Sequence, residues 1–190
     1  MAVVAWILAA SLVVISSLPD LTESFSRYEI PHNLRNIRQQ VLRRHNYYRR
    51  KHGVPPLKMS RKLNEHCQRR AVRLAKLDRL DHGGAKYAES IAAFPKEGNN
   101  GSLGRSVVDS WYSEIEQYDF SNGYYSKDTG HFTQIIWKKT RMVGTGSAVS
   151  PKSDRIFVAS CYDPPQDNGG TYEENVPRPR VGRYSSRHDC

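Results

Sequence analysis

Residues 130–140 read Gly130-His131-Phe132-Thr133-Gln134-Ile135-Ile136-Trp137-Lys138-Lys139-Thr140. Phe132, Ile135 and Ile136 recur on one side at helical spacing, so a short helix is predicted to begin near His131. The run 121–130 before it is rich in Ser, Asn, Gly and Asp and predicts a loop. His131 therefore stands in a first helical turn, where the peptide dipole disfavours the imidazolium. A neutral imidazole is the form that binds a metal or accepts a proton, while a histidine at a helix start also serves as an ordinary hydrogen-bonding group.

Upstream, the spacing predicts a helix over 105–118 with Val107, Trp111, Ile115 and Tyr118 facing inward. Glu114 projects beside Val107 and Tyr118, on the edge of that stripe, whereas Asp109 and Glu116 project to the opposite side. A carboxylate on an inward edge is costly unless it is paired, which marks Glu114 for function or a buried bond. His82 and Glu89 lie in Asp81-His82-Gly83-Gly84-Ala85-Lys86-Tyr87-Ala88-Glu89-Ser90, which the glycines predict to be a flexible turn. By themselves these two residues point to nothing. Further back, a helix over 33–52 carries Leu34, Ile37, Val41, His45 and Tyr48 on one face, and Gly53 with Pro55-Pro56 ends it. His45 sits mid-stripe and is read as a core histidine. A second helix, from the N-cap Ser60 to about Leu80, buries Leu63, Cys67, Ala71 and Leu74 and lines its flank with Lys62, Arg69, Arg73 and Lys76. Downstream, 142–149 and 155–162 predict two strands joined by a Ser-Pro-Lys-Ser-Asp turn. The run from Gln166 has little apolar content and is expected to be loosely held. Helices with a small antiparallel sheet make the fold class α+β.

A chain of 190 residues, 38% hydrophobic and 25% charged, suits one folded domain and excludes general disorder. The net charge of +10 is concentrated. Arg35 to Arg79 hold fifteen Lys or Arg against two acids, Glu65 and Asp78, and the other 145 residues hold fourteen against seventeen. Such a segment attracts acidic headgroups, sulfated glycans or nucleic acid, or is simply a solvated basic surface. Residues 1–17 have the shape of a secretory signal peptide, and Asn100-Gly101-Ser102 is an N-glycosylation sequon, so a secreted, extracellular protein is expected. Nucleic acid is discounted as a partner because export removes the chain from that compartment. Three cysteines, Cys67, Cys161 and Cys190, are too few for a disulfide scaffold and leave their pairing open. Zinc-protease HExxH, G-x-S-x-G, nucleotide-binding and CxxC patterns are all missing.

The stretch 130–140 resembles the first signature of the CAP superfamily, which includes cysteine-rich secretory proteins, venom antigens and plant pathogenesis-related proteins. His45-Asn46, Arg49 and His52-Gly53-Val54-Pro55-Pro56-Leu57 resemble that family's first helix and turn. Trp111-Tyr112-Ser113-Glu114-Ile115 and Tyr172-Glu173-Glu174-Asn175-Val176 resemble its Golgi-associated branch. The resemblance implies an α-β-α sandwich over residues 30–178 with a small antiparallel sheet between helices, and composition predicts a disordered basic tail at 179–190. It implies a cleft lined by His82, Glu89, Glu114 and His131 that holds a divalent metal, zinc, weakly or optionally. It also implies non-enzymatic binding of lipid, sterol or an anionic membrane or glycan surface, with a homodimer allowed. The alternative it carries is a zinc-dependent, peptidase-like hydrolase with Glu89 or Glu114 as general base. Two departures stand out. Ala88-Glu89-Ser90 replaces the usual Gly-Glu-Asn, and Ser160 stands where a Cys is usual, so the family's core disulfide is not carried over.

Overall fold

The computed structural model describes residues 30–31, 33–82, 87–97, 101–167 and 171–180. The signal peptide, the sequon Asn100, Cys190 and residues 181–190 lie outside the described residues.

Helix α1, Leu34–His52, buries Ile37, Val41, His45, Tyr48, Arg49 and His52 along one face. It ends at Gly53, whose φ of 67° lets the chain turn back, and Val54 N–H donates to Arg49 O at 3.0 Å. Asn46 then holds the Pro55-Pro56 turn from both sides: Leu57 N–H donates to Asn46 Oδ1 at 2.7 Å, and Asn46 Nδ2 donates to Leu57 O at 3.0 Å. The elements that follow are β1 (Lys58–Met59), α2 (Arg61–Leu77), β2 (Ala88–Pro95), α3 (Leu103–Tyr112), a 3₁₀ segment (Ser113–Gln117), α4 (Gly130–Ile136), β3 (Met142–Val149), β4 (Arg155–Asp163) and α5 (Tyr172–Asn175). Ser60 caps α2, its Oγ accepting from Leu63 N–H at 3.3 Å.

The sheet runs β1-β3-β4-β2, antiparallel between β3, β4 and β2, with β1 added in parallel to β3. It is therefore mixed rather than purely antiparallel. Successive residues of β4 point to opposite faces, as a pleated strand must. Ile156 and Val158 pack with α1, α3 and α4, while Phe157, Ala159 and Cys161 pack with α2. The sheet is thus sandwiched between α2 and the other helices. The same alternation settles the cysteines: Cys161, not Ser160, faces α2, and it forms a disulfide with Cys67 across Cα atoms 6.0 Å apart.

Helix α2 lies hard against β3. A β-carbon on Gly144 would collide with the backbone of Leu63 and Asn64, and one on Gly146 with the backbone of Cys67. Since β1 pairs only with Met142 and Val143, the outer edge of β3 beyond them is covered by side chains. Thr145 N–H donates to Asn64 Oδ1 at 2.8 Å, and Thr145 O accepts from Arg38 Nε at 2.7 Å. Ser147 N–H donates to Gln68 Oε1 at 3.1 Å, and Ser147 O accepts from Gln68 Nε2 at 2.9 Å.

Three expectations are corrected. The helix predicted over 105–118 is regular only to Tyr112 and then tightens into the 3₁₀ segment. The flexible turn predicted through Ser90 gives way to strand from Ala88 onward, because Glu89 to Phe94 pair in register with β4. The described part of the run from Gln166, residues 166–167 and 171–180, is tied down rather than loose. Tyr172 and Val176 are buried, Pro177 O accepts from His52 Nδ1 at 2.6 Å, and Arg180 N–H donates to Lys51 O at 2.9 Å.

Candidate functional site

Glu114 and His131 form the first half of the site. Gly130 starts α4, and the carboxylate of Glu114 arrives at that start from the 3₁₀ segment. Its Oε2 accepts the backbone N–H of His131 at 2.9 Å and of Phe132 at 3.1 Å. A carboxylate so placed satisfies two donors that a first helical turn leaves without partners and lies favourably in the dipole. The other oxygen, Oε1, lies 2.6 Å from His131 Nδ1. A carboxylate only accepts, so the Nδ1 proton points at Glu114 and Nε2 is left for the hollow. Trp111 stacks on the ring, with centroids 5.7 Å apart at 25°.

His82 and Glu89 form the second half. Glu89 lies near the start of β2 on the face toward α2, and its side chain is 6% exposed. Arg70 of α2, 7% exposed, grips it with Nε to Oε2 at 2.7 Å and Nη2 to Oε1 at 2.8 Å. Arg70 Nη2 also donates to Asp81 O, next to His82. His82 is 62% exposed, with Nδ1 3.5 Å from Glu89 Oε1. The two halves face each other through the imidazoles, whose centroids are 6.5 Å apart.

The four residues named from sequence therefore meet, but as two carboxylate–imidazole pairs rather than as one ring of four ligands. Both carboxylates are engaged by hydrogen-bond donors. Among the described residues no group of three or more His, Cys, Asp or Glu side chains is arranged to hold a metal ion. Zinc–nitrogen bonds of ~2.0–2.1 Å would set two imidazole centroids roughly 5 Å apart around a tetrahedral ion, closer than they stand here. The residues present do not fit a four-ligand zinc site.

Sequence reasoning missed Arg70. The signal was its position, three residues after Cys67 and four before Leu74, an arginine on the apolar stripe itself. Asp109, projected to the solvent side, instead clasps α3 to α1, accepting from Tyr48 Oη at 2.8 Å and from Arg44 Nε and Nη2. His45 is the core histidine expected, lying between Val41 O at 2.9 Å and Tyr162 Oη at 3.0 Å.

A sequence model described as the cysteine-rich secretory protein family, CAP, matches residues 42–162, and the chain belongs to that family. It is 36% identical over 148 residues to the human Golgi-associated plant pathogenesis-related protein 1, covering 77% of this chain and 96% of that one. Pathogenesis-related protein 1A1 of Solanum lycopersicum is 32% identical over 142 residues, covering 73% and 75%. Secreted protein RBT4 of Candida albicans is 31% identical over 152 residues, and the chain spans only 41% of it. Among solved structures, the hookworm platelet inhibitor aligns with a TM-score of 0.58 at 19% identity, over 72% of this chain and 74% of that one. NaASP2 with Zn²⁺ aligns at 0.57 and 16% identity, over 72% and 84%. These two likenesses concern the fold.

Proposed function

We propose that the chain is an exported, non-catalytic binding module that docks on acidic lipid surfaces through the outward face of α2. One observation carries this reading. Lys62, Arg69, Arg73 and Lys76 are all exposed, and at 100° per residue they fall within about 60° of one another, on the side of α2 turned away from the sheet. The acid of that helix, Glu65, is already paired with Arg61 at 2.9 Å. At the end of the stripe Leu77 and Leu80 are 37% and 49% exposed, apolar groups that can enter the headgroup layer beside Arg73, Lys76 and Arg79. The hydrolytic alternative requires a carboxylate free to take a proton, and Glu89 and Glu114 each already accept at least two hydrogen bonds from this chain's own donors.

Each basic side chain near an anionic bilayer contributes ~1 kcal/mol, and that attraction is screened by salt. In a flotation assay the protein is expected to rise with vesicles containing phosphatidylserine, to stay behind with phosphatidylcholine, and to be released by high salt. Replacing Arg69 and Arg73 with Gln is expected to weaken binding by roughly 30-fold, or ~2 kcal/mol. Equal binding to both vesicle types, indifferent to salt and to the substitutions, would overturn the proposal. Release by heparin with no vesicle binding would assign the stripe to sulfated glycans instead.

A further inference from the structure

Arg70 is buried at the point where α2 crosses the start of β2, with its charge directed chiefly at Glu89 and Asp81 also close by. Glu89 gives both oxygens to that guanidinium and is itself buried, so the two form a closed, desolvated ion pair. Glu114 is committed in a different way, to two backbone N–H groups and to Nδ1 of His131. Of the ring nitrogens of His82 and His131, the Nδ1 atoms lie toward Glu89 and Glu114, which leaves the two Nε2 atoms.

We infer that Arg70 closes this hollow to divalent metal ions. Two imidazoles fall one ligand short of the three protein ligands that even open zinc sites supply. Glu114 is held at the start of α4, and recruiting Glu89 instead would break a buried pair and strand Arg70 as an uncompensated buried charge. If Glu89 stays with Arg70, an ion held by the imidazoles meets a neutralised acid with a guanidinium directly behind it. At this range and in partly dry surroundings, removing that cation is worth tenfold or more in divalent affinity. The tetrad is therefore a polar rim of two tied pairs, one joining α2 to β2 and the other the 3₁₀ segment to α4, and one arginine sets its ion selectivity.

The test is zinc uptake by the chelator-treated full chain, followed by calorimetry and by thermal melts with and without zinc. The native protein is expected to take up no stoichiometric zinc at about 10 µM free metal and to melt at an unchanged temperature. Arg70→Met is expected to bind one zinc per chain at least tenfold more tightly, to melt higher in its presence, and to lose both properties when His131→Ala is added. Native protein that binds one zinc as tightly as Arg70→Met overturns the inference, as does a folded Arg70→Met that gains nothing. If Arg70→Met fails to fold, Arg70→Gln replaces it with a neutral side chain that still donates to Glu89. In the native protein the Arg70 Nε–H resonance should persist unshifted through a zinc titration. Its loss or displacement would show Glu89 leaving Arg70 for the metal, and would also overturn the inference.

Discussion

Arg49 is fully buried, and its guanidinium faces backbone oxygen only. It donates to the carbonyls of Pro55, Ile135, Trp137 and Thr140, and so ties the turn after α1 to the end of α4. Burial, with Arg141 nearby, pulls its pKa down to about 9. Arg49→Met removes four buried hydrogen bonds at once and is expected to cost about 3 kcal/mol or more, read as a shift in urea midpoint at constant m. His45 contributes a pH term. Burial holds its pKa down to about 4, chiefly by desolvation, while the unfolded chain takes up the proton near 6.5. The unfolded state therefore binds more protons as pH falls from about 6.5 to about 4, and up to ~3 kcal/mol of stability is lost across that window. Melts at pH 7 and pH 4.5 should show the loss, and His45→Gln should reduce it. The placement of His45 was legible because a mid-stripe position has one physical meaning, burial. Glu114 was legible as an acid in need of a partner, although that partner proved to be a helix start and its histidine. Arg70 carried the same mid-stripe signal but was lost among fifteen bases, and its partner could not be named until the strand it faces was known.

Among the elements, the contact of α2 with β3 tolerates the least change. Gly144 and Gly146 exist to let a helix backbone rest on a strand, and backbone atoms cannot swing aside as a flexible side chain can. Gly144→Ala is expected to cost about 2 kcal/mol, within the range for overpacked cores, and to lower Tm by several degrees in a thermal melt. The long helices were legible from spacing, since their stripes run for four or five turns. Strand β2 was not. Ile91 packs toward α2 while Ala92 and Phe94 pack toward the other layer, so no alternation of apolar and polar residues marks it. The early end of α3 was also hidden. Its stripe continues to Tyr118, but Glu114 reaches the start of α4, and the chain tightens over that stretch. The burial of Tyr172 and Val176 depends on partners distant in sequence, which leave no local pattern to read.

At the scale of the whole molecule, two layers of helix are joined through one sheet, and the Cys67–Cys161 disulfide spans 94 residues of sequence between them. A loop of that length loses much of its freedom in the unfolded state when it is closed. Cys67→Ala is therefore expected to cost about 2–5 kcal/mol, measured by urea titration beside the oxidised parent. That bond also suits an oxidising compartment, which the proposed export would supply. The sandwich architecture followed from the signature at 130–140, whereas the parallel partner β1, only two residues long, was beyond any pattern. Its brevity matters because of what takes its place. Along Thr145 and Ser147, where an uncovered strand would invite a neighbouring chain to zip on, Asn64, Gln68 and Arg38 already hold every outward main-chain group. Along these residues no main-chain group is left to template a growing fibril or to trade strands with another copy, so crowding at a surface finds no purchase on this edge.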